Sequence, residues 1–184
     1  MHAKSSRLPP VDTDKFTDEQ AELAGGRGSP RSELSIVRTL VHNPALYRSW
    51  QSLARHLISN NSLSPREREI VILHTAALCR GTYDVAHHRV IAQRAGLSAA
   101  DVDAALNDGA GLAAFERILM QGVKELVQDR CIADATYAAL AGRLTQQQLL
   151  DFVFTVGNYI LMCMTTNSFG VQLERDVDGG WQPN

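Results

Sequence analysis

The feature that most constrains the fold is a series of helix starts, each a Ser, Thr or Asn followed within three residues by an acid, an amide or a proline. Ser64-Pro65-Arg66-Glu67 joins a capping box to a proline at the first helical position. Asn43-Pro44 opens a second helix, expected to run through Trp50 towards Leu57. Thr17 to Gln20, Ser98 to Asp101 and Thr145 to Gln148 follow the same pattern. Between these starts apolar residues recur at threes and fours, as in Leu112, Phe115, Leu119, Val123 and Leu126, which is helical spacing. No stretch pairs alternation with a hairpin turn, so strands are not expected. The chain reads as all-α, a bundle of about eight helices with short connections.

Three regions are expected. Residues 1–30, with Pro9-Pro10 and the Gly25 to Pro30 stretch, read as an N-terminal arm with one short helix. Residues 31–175 read as the helical domain and 176–184 as a C-terminal tail. At 184 residues the chain fits one domain with a core of its own. Its 18 Lys+Arg against 20 Asp+Glu give a net charge of −2, which argues against nucleic acid or an anionic membrane as partner. Three cysteines do not make a secreted disulfide framework, and Met1 to Pro10 has no apolar signal core. The apolar stretch Phe152 to Met164 is interrupted by Thr155 and Asn158 and is too short to span a bilayer. A cytoplasmic location is expected. The helix from Thr145 to about Ser168 is apolar on nearly every side, so it should lie at the centre of the fold or between subunits.

Residues 64–96 hold the chemistry. Arg66, Arg68, Arg80, Arg89 and Arg94 outnumber Glu67, Glu69 and Asp84 there, a surplus that suits an anionic ligand. At about 100° per residue, Glu69 falls amid Ile72, Leu73 and Ala76, while Glu67 lies opposite as the capping-box acid. On the next helix His88 falls among Val85, Ile91, Ala92 and Ala95, with Asp84 one turn earlier on the same side. His87 points the other way with Tyr83 and Arg94, and His74 shares the side of Glu67, at the surface or an interface. Ionisable groups on a buried face must be paired or perturbed. Asp84 and His88 at i and i+4 can hydrogen-bond, and Glu69 can complete a carboxylate–His–carboxylate set. Such a set suits proton transfer at an activated carbon, although a buried ion pair that fixes helix register has the same signature. His87 and His88 diverge on their helix, so no metal site is expected. Cys79, before the Arg80-Gly81 turn, reads as a small buried filler, and no motif surrounds Cys131 or Cys163.

The block Leu63-Ser64-Pro65-Arg66-Glu67-Arg68-Glu69-Ile70, Tyr83-Asp84-Val85-Ala86-His87-His88 and Ala95-Gly96-Leu97-Ser98 resembles the carboxymuconolactone decarboxylase / alkylhydroperoxidase D-like family. Lys124-Glu125-Leu126 and the Phe154 to Tyr159 stretch resemble a longer subgroup of it. The resemblance places the family's motif glutamate on Glu69 and its motif histidine on His88. In the peroxidase branch a Cys-x-x-Cys pair precedes that histidine; the matching positions here are Gly81 and Asp84, and Cys79 lies two residues too early. A dithiol cycle needs an attacking thiolate and a resolving partner, and no second cysteine sits nearby in sequence. The decarboxylase branch has an acid four residues before the histidine, which Asp84 preserves.

The resemblance implies an alkylhydroperoxidase D-like helical fold over residues 31–175 and removal of CO2 from a small carboxylated unsaturated lactone in aromatic catabolism. His88 would handle the proton, Glu69 and Asp84 would set its tautomer, and Arg80 or Arg89 would receive the carboxylate. Tyr83 would contact the ligand. No metal or organic cofactor is implied, because the conjugated carbonyl serves as electron sink. A thiol peroxidase is the alternative, and a non-catalytic small-ligand-binding or assembly domain a further one. By the same resemblance the chain should form a homo-oligomer, a trimer or hexamer.

Overall fold

A computed structural model describes residues 3 and 5–175. The expected C-terminal tail, 176–184, lies outside the described residues. Among the described residues a 3-10 turn at Thr13–Lys15 precedes nine α-helices: α1 Asp18–Leu23, α2 Ser35–Leu40, α3 Pro44–Ser59, α4 Pro65–Leu78, α5 Thr82–Arg94, α6 Ala99–Leu106, α7 Ala114–Asp129, α8 Asp134–Ala141 and α9 Gln146–Phe169. Among the described residues there is no strand. The fold is all-α, as the capping pattern predicts.

Each polar cap is made. The side chains of Thr17, Asn43, Ser64, Ser98 and Thr145 accept from the backbone N–H of Gln20, Leu46, Glu67, Asp101 and Gln148. At α4, Glu67 returns the contact to the Ser64 backbone at 3.1 Å. By contrast α2 and α8 begin after Leu34 and Ala133, which offer no side-chain cap. The nine helices among the described residues accord with the expected bundle of about eight.

The centre of the fold is α4. Glu69 through Ala76, eight consecutive residues, are buried, because α5, α6, α7 and α9 enclose the helix. On one side Ile70, Leu73, Val85, Ala92 and Val102 pack together. On another, Val71 meets Phe115, Leu119, Phe152 and Val156 of α7 and α9. A third cluster joins Phe16, Leu23, Val37 and Tyr47 to Tyr83 and Met162, so Phe16 and α1 pack onto α2, α3 and α9. His74 is a correction to the sequence reading: α6 covers it, and its Nδ1 lies 2.9 Å from the Ala105 carbonyl. Burial pulls the His74 imidazole below its ordinary range.

The longest helix, α9, is two-faced rather than buried all round. Asp151, Phe152, Thr155, Val156, Asn158, Tyr159, Met162 and Cys163 face inward, while Leu150, Val153, Phe154, Leu161 and Met164 face out. By length and composition α9 could cross a membrane, longer than the apolar stretch within it, yet half of its most apolar window is buried in this protein. It packs as a core helix.

The arginine surplus in 64–96 is largely consumed by internal pairing. Arg66 binds Glu116 at 2.6 Å and Asp101 at 3.0 Å, pinning the first turn of α4 to α6 and α7. Arg68 meets Glu69 at 3.1 Å, and Arg89 meets Asp103 at 3.2 Å.

Candidate active site

The site begins at the α4–α5 turn. Arg80 takes a left-handed φ of 55°, and the Gly81 N–H reaches back to the Ala76 carbonyl at 2.8 Å, closing α4 as a Schellman motif. The sharp reversal lays α5 alongside α4. A side chain at Gly81 would run into Cys163 Sγ of α9, so only glycine lets α9 approach here.

This packing brings Glu69 of α4 against His88 of α5. Glu69 Oε2 and His88 Nδ1 are 2.7 Å apart, with the Glu69 side chain 1% exposed and that of His88 12%. The other carboxylate oxygen of Glu69 accepts from Arg68 Nε. From α9, Tyr159 Oη lies 3.0 Å from His88 Nε2. Burial holds the Tyr159 phenol far above its ordinary range, reinforced by the negative charges of Glu69 and Asp84. It therefore stays a donor. The tautomer consistent with this has Nδ1–H donating to Glu69 and Nε2 accepting from Tyr159.

Asp84 does not join this chain. Its Oδ2 accepts from Thr166 Oγ1 at 3.2 Å and from the Cys163 thiol at 3.6 Å, rather than from His88. Burial raises the Asp84 carboxyl above the usual carboxylate range, against the pull of nearby His88 and of these hydrogen bonds. The i, i+4 spacing permits an Asp84–His88 bond, but Glu69 and Tyr159 already occupy both imidazole nitrogens.

Glu69, Asp84 and His88 are thus brought together, with Asp84 at one remove. Tyr83 also reaches the site, although its hydroxyl donates to Glu174 Oε1 at 2.8 Å and accepts from the Ile36 N–H. His87 joins it there, Nε2 to Glu174 Oε2 at 2.8 Å. Burial alone would raise the Glu174 carboxyl, but hydrogen bonds from His87, the Ser35 N–H and Tyr83 outweigh it and hold it at about 2. Arg80 and Arg89 are not brought in: Arg80 is exposed at the turn and Arg89 is paired with Asp103.

A cavity of about 560 Å³ opens onto His88 and Tyr159. Tyr47, Trp50, Ala54, Ile91 and Met162 form its apolar wall, and Asp84, His87 and Asn158 add polar groups. Trp50 Nε1 donates to Asn158 Oδ1 at 2.8 Å, bridging α3 and α9 behind that wall. The cations lining the cavity are Arg31, whose guanidinium lies 5.8 Å from the Tyr47 ring centre, and Arg55. Among the described residues no group of three or more His, Cys, Asp or Glu side chains is arranged to hold a metal ion.

Sequence reasoning missed Tyr159, Trp50, Asn158, Arg31 and Arg55. For Tyr159 a signal existed: a phenol within an apolar helix must find a partner for its hydroxyl. The two cavity arginines precede the arginine-rich block 64–96.

The helical fold is that of an alkylhydroperoxidase D-like core. Known structures agree. An uncharacterized peroxidase-related protein from Ralstonia eutropha, with an alkylhydroperoxidase core, superposes with a TM-score of 0.77 at 18% identity, over 96% of this chain and 95% of that one. An uncharacterized peroxidase-related protein from a Silicibacter species gives 0.76 at 13% identity, over 95% and 96%. A protein of unknown function from Agrobacterium tumefaciens gives 0.66 at 13% identity, over 74% and 96%. No curated protein matches the chain. Residues 44–128, the segment that carries Glu69 and His88, match the sequence model of the Carboxymuconolactone decarboxylase family.

Proposed function

We propose that the cavity is an active site for cofactor-free proton-transfer chemistry, decarboxylation of a small carboxylated ring or lactone. The observation that carries this reading is a nearly buried histidine at the cavity wall with each ring nitrogen held by a defined partner, Glu69 on one side and Tyr159 on the other. A general acid–base group needs a fixed orientation, and this arrangement supplies it. The substrate's ring lies against Trp50, Ile91 and Met162. Its carboxylate faces the Arg31/Arg55 side, which takes the place proposed by resemblance for Arg80 and Arg89. The C–C bond breaks, its electron pair moves into the conjugated carbonyl, and CO2 leaves. His88 manages the proton at that carbon, with Tyr159 and Glu69 positioning its ring.

CO2 release from a panel of carboxylated unsaturated lactones tests the reading. Loss of turnover by about a hundredfold or more in His88→Ala supports it; turnover unchanged in His88→Ala removes His88 from the mechanism.

Self-association is part of the same reading. The outward face of α9, Leu150, Phe154, Leu161 and Met164, is an apolar stripe of the kind that a second copy covers. Light scattering on the eluting protein measures this, and a monomer at every concentration counts against it. Three unbridged cysteines also fit a reducing cytoplasm.

A further inference from the structure

The cavity is a trough rather than a pocket around one ring. Tyr47, Trp50, Ala54 and Ile58 of α3 all line it, at the three- and four-residue spacing of one helix face. From Tyr47 to Ile58 that face rises about 16 Å, at about 1.5 Å per residue. Trp50 is bonded to Asn158, the neighbour of Tyr159, so the reacting centre stands level with the first half of the face. About 12 Å of helix run on from Trp50 to Ile58. The chemistry changes along this length. At the Tyr47 end, Arg31 Nη2 donates to Tyr47 Oη at 3.0 Å, and its guanidinium lies over that ring. The guanidinium is held in place before a ligand arrives and keeps further N–H groups to donate. At the other end, Ile58 of α3 and Ile91 of α5 line the cavity yet are 50% and 38% exposed. Large apolar side chains on a cavity wall that still meet water are surface for a ligand to cover. Among the described residues the one acid on the lining is Asp84, already held by Thr166 Oγ1 at 3.2 Å. The trough thus joins a fixed cation to a run of uncovered apolar surface.

We propose that the ligand is an elongated amphipathic acid: a carboxylated ring that carries an apolar arm. Its carboxylate lies towards Arg31, its ring at Trp50, and its arm along Ala54 to Ile58 and Ile91. The inference rests on reading this cavity as the active site and adds the arm, which the reaction itself does not need. Size supports it. Cavities of about 300–1,000 Å³ enclose ligands of drug size. This one measures about 560 Å³, so a bare ring would leave much of it to water. The helix rise sets the length of the arm. Ala54 to Ile58 covers about 6 Å. A chain of about 1.5 Å bonds at about 111° advances about 1.25 Å per carbon, so about five carbons reach Ile58. Beyond it the lining turns polar at Ser59 and Asn60, where further methylenes gain nothing. Charge sets the sign of the ligand: Arg31 and Arg55 favour an acid and repel the amine of the same shape.

Calorimetric titration of the full chain with benzoate and its para-alkyl homologues, methyl to decyl, reads the arm without relying on turnover. Affinity should rise about threefold per methylene as far as about five carbons and then level off. Ile58→Asp should cost the pentyl compound about tenfold or more and benzoate almost nothing. Arg31→Gln should weaken every member of the series alike. A flat series, a series that climbs through decyl and ignores Ile58→Asp, or binding that Arg31→Gln leaves unchanged overturns the inference. If Ile58→Asp does not fold, the shape of the series on the unmodified chain decides alone. Failure of the reaction reads differently. No CO2 from any lactone with the series intact removes the decarboxylase and keeps this ligand. Turnover of bare lactones with a flat series removes the arm and keeps the reaction.

Discussion

Tyr159 Oη stands 3.0 Å from His88 Nε2, its ring edge-on to the imidazole at 88°. With Glu69 on Nδ1, the imidazole is held at both ends by two different helices, α4 and α9. Neither helix fixes the ring alone. The geometry of the site is therefore a property of the whole core, and changes in either partner should be measurable in the ring itself.

Tyr159→Phe leaves Nε2 without its donor while keeping the aromatic packing. It should lower stability by about 0.5–1.5 kcal/mol, the usual range for one hydrogen bond. The His88 Nε2 resonance should move, and under the proposed function the pH profile of turnover should shift. Nitrogen NMR of labelled histidine and denaturant titration check the two effects.

Glu69 is the carboxylate on which both Arg68 and His88 converge. Replacing it by Leu leaves two polar partners in a nearly closed site. Denaturant unfolding should then show a loss of about 3–5 kcal/mol. Glu69→Gln keeps an acceptor oxygen and should lose visibly less.

Glu174 predicts a pH dependence. Its folded-state value near 2 lies below the ordinary 4.5, so its contribution is fully present above about 4.5 and is lost as pH falls towards 2. Glu174→Gln should lower Tm at pH 6, and the gap to wild type should close on acidification through that window. A gap that does not change with pH would sink this account.

Arg80 adopts a left-handed backbone where glycine is the usual occupant, at a cost of about 1 kcal/mol. Arg80→Gly relieves it, against some extra entropy in the unfolded chain. The net expectation is a gain of up to about 1 kcal/mol, read from chemical denaturation.

Much of the active half was legible in the sequence because it is local. The Ser64 box shows where α4 begins, and a polar residue on an apolar face marks both Glu69 and His88. What was not legible depends on helices arriving from far along the chain. The i, i+4 relation between Asp84 and His88 says that they can meet, not that Glu69 and Tyr159 will reach the ring first. The arginines looked free for a ligand because Asp101, Asp103 and Glu116, which bind them, belong to α6 and α7. His74 looked exposed until α6 was laid over it. The cation side of the cavity comes from Arg31 and Arg55, before the informative block begins.

The packing of Cys163 against Gly81 makes two distant positions share one allotment of space. Alanine at position 81 should be destabilising while the sulfur is present and much better tolerated once position 163 is alanine too. The double-mutant coupling should therefore be favourable, where independent sites would give none. For anyone redesigning this scaffold, the thiol of α9 has to be reduced in size before the α4–α5 turn can carry a side chain.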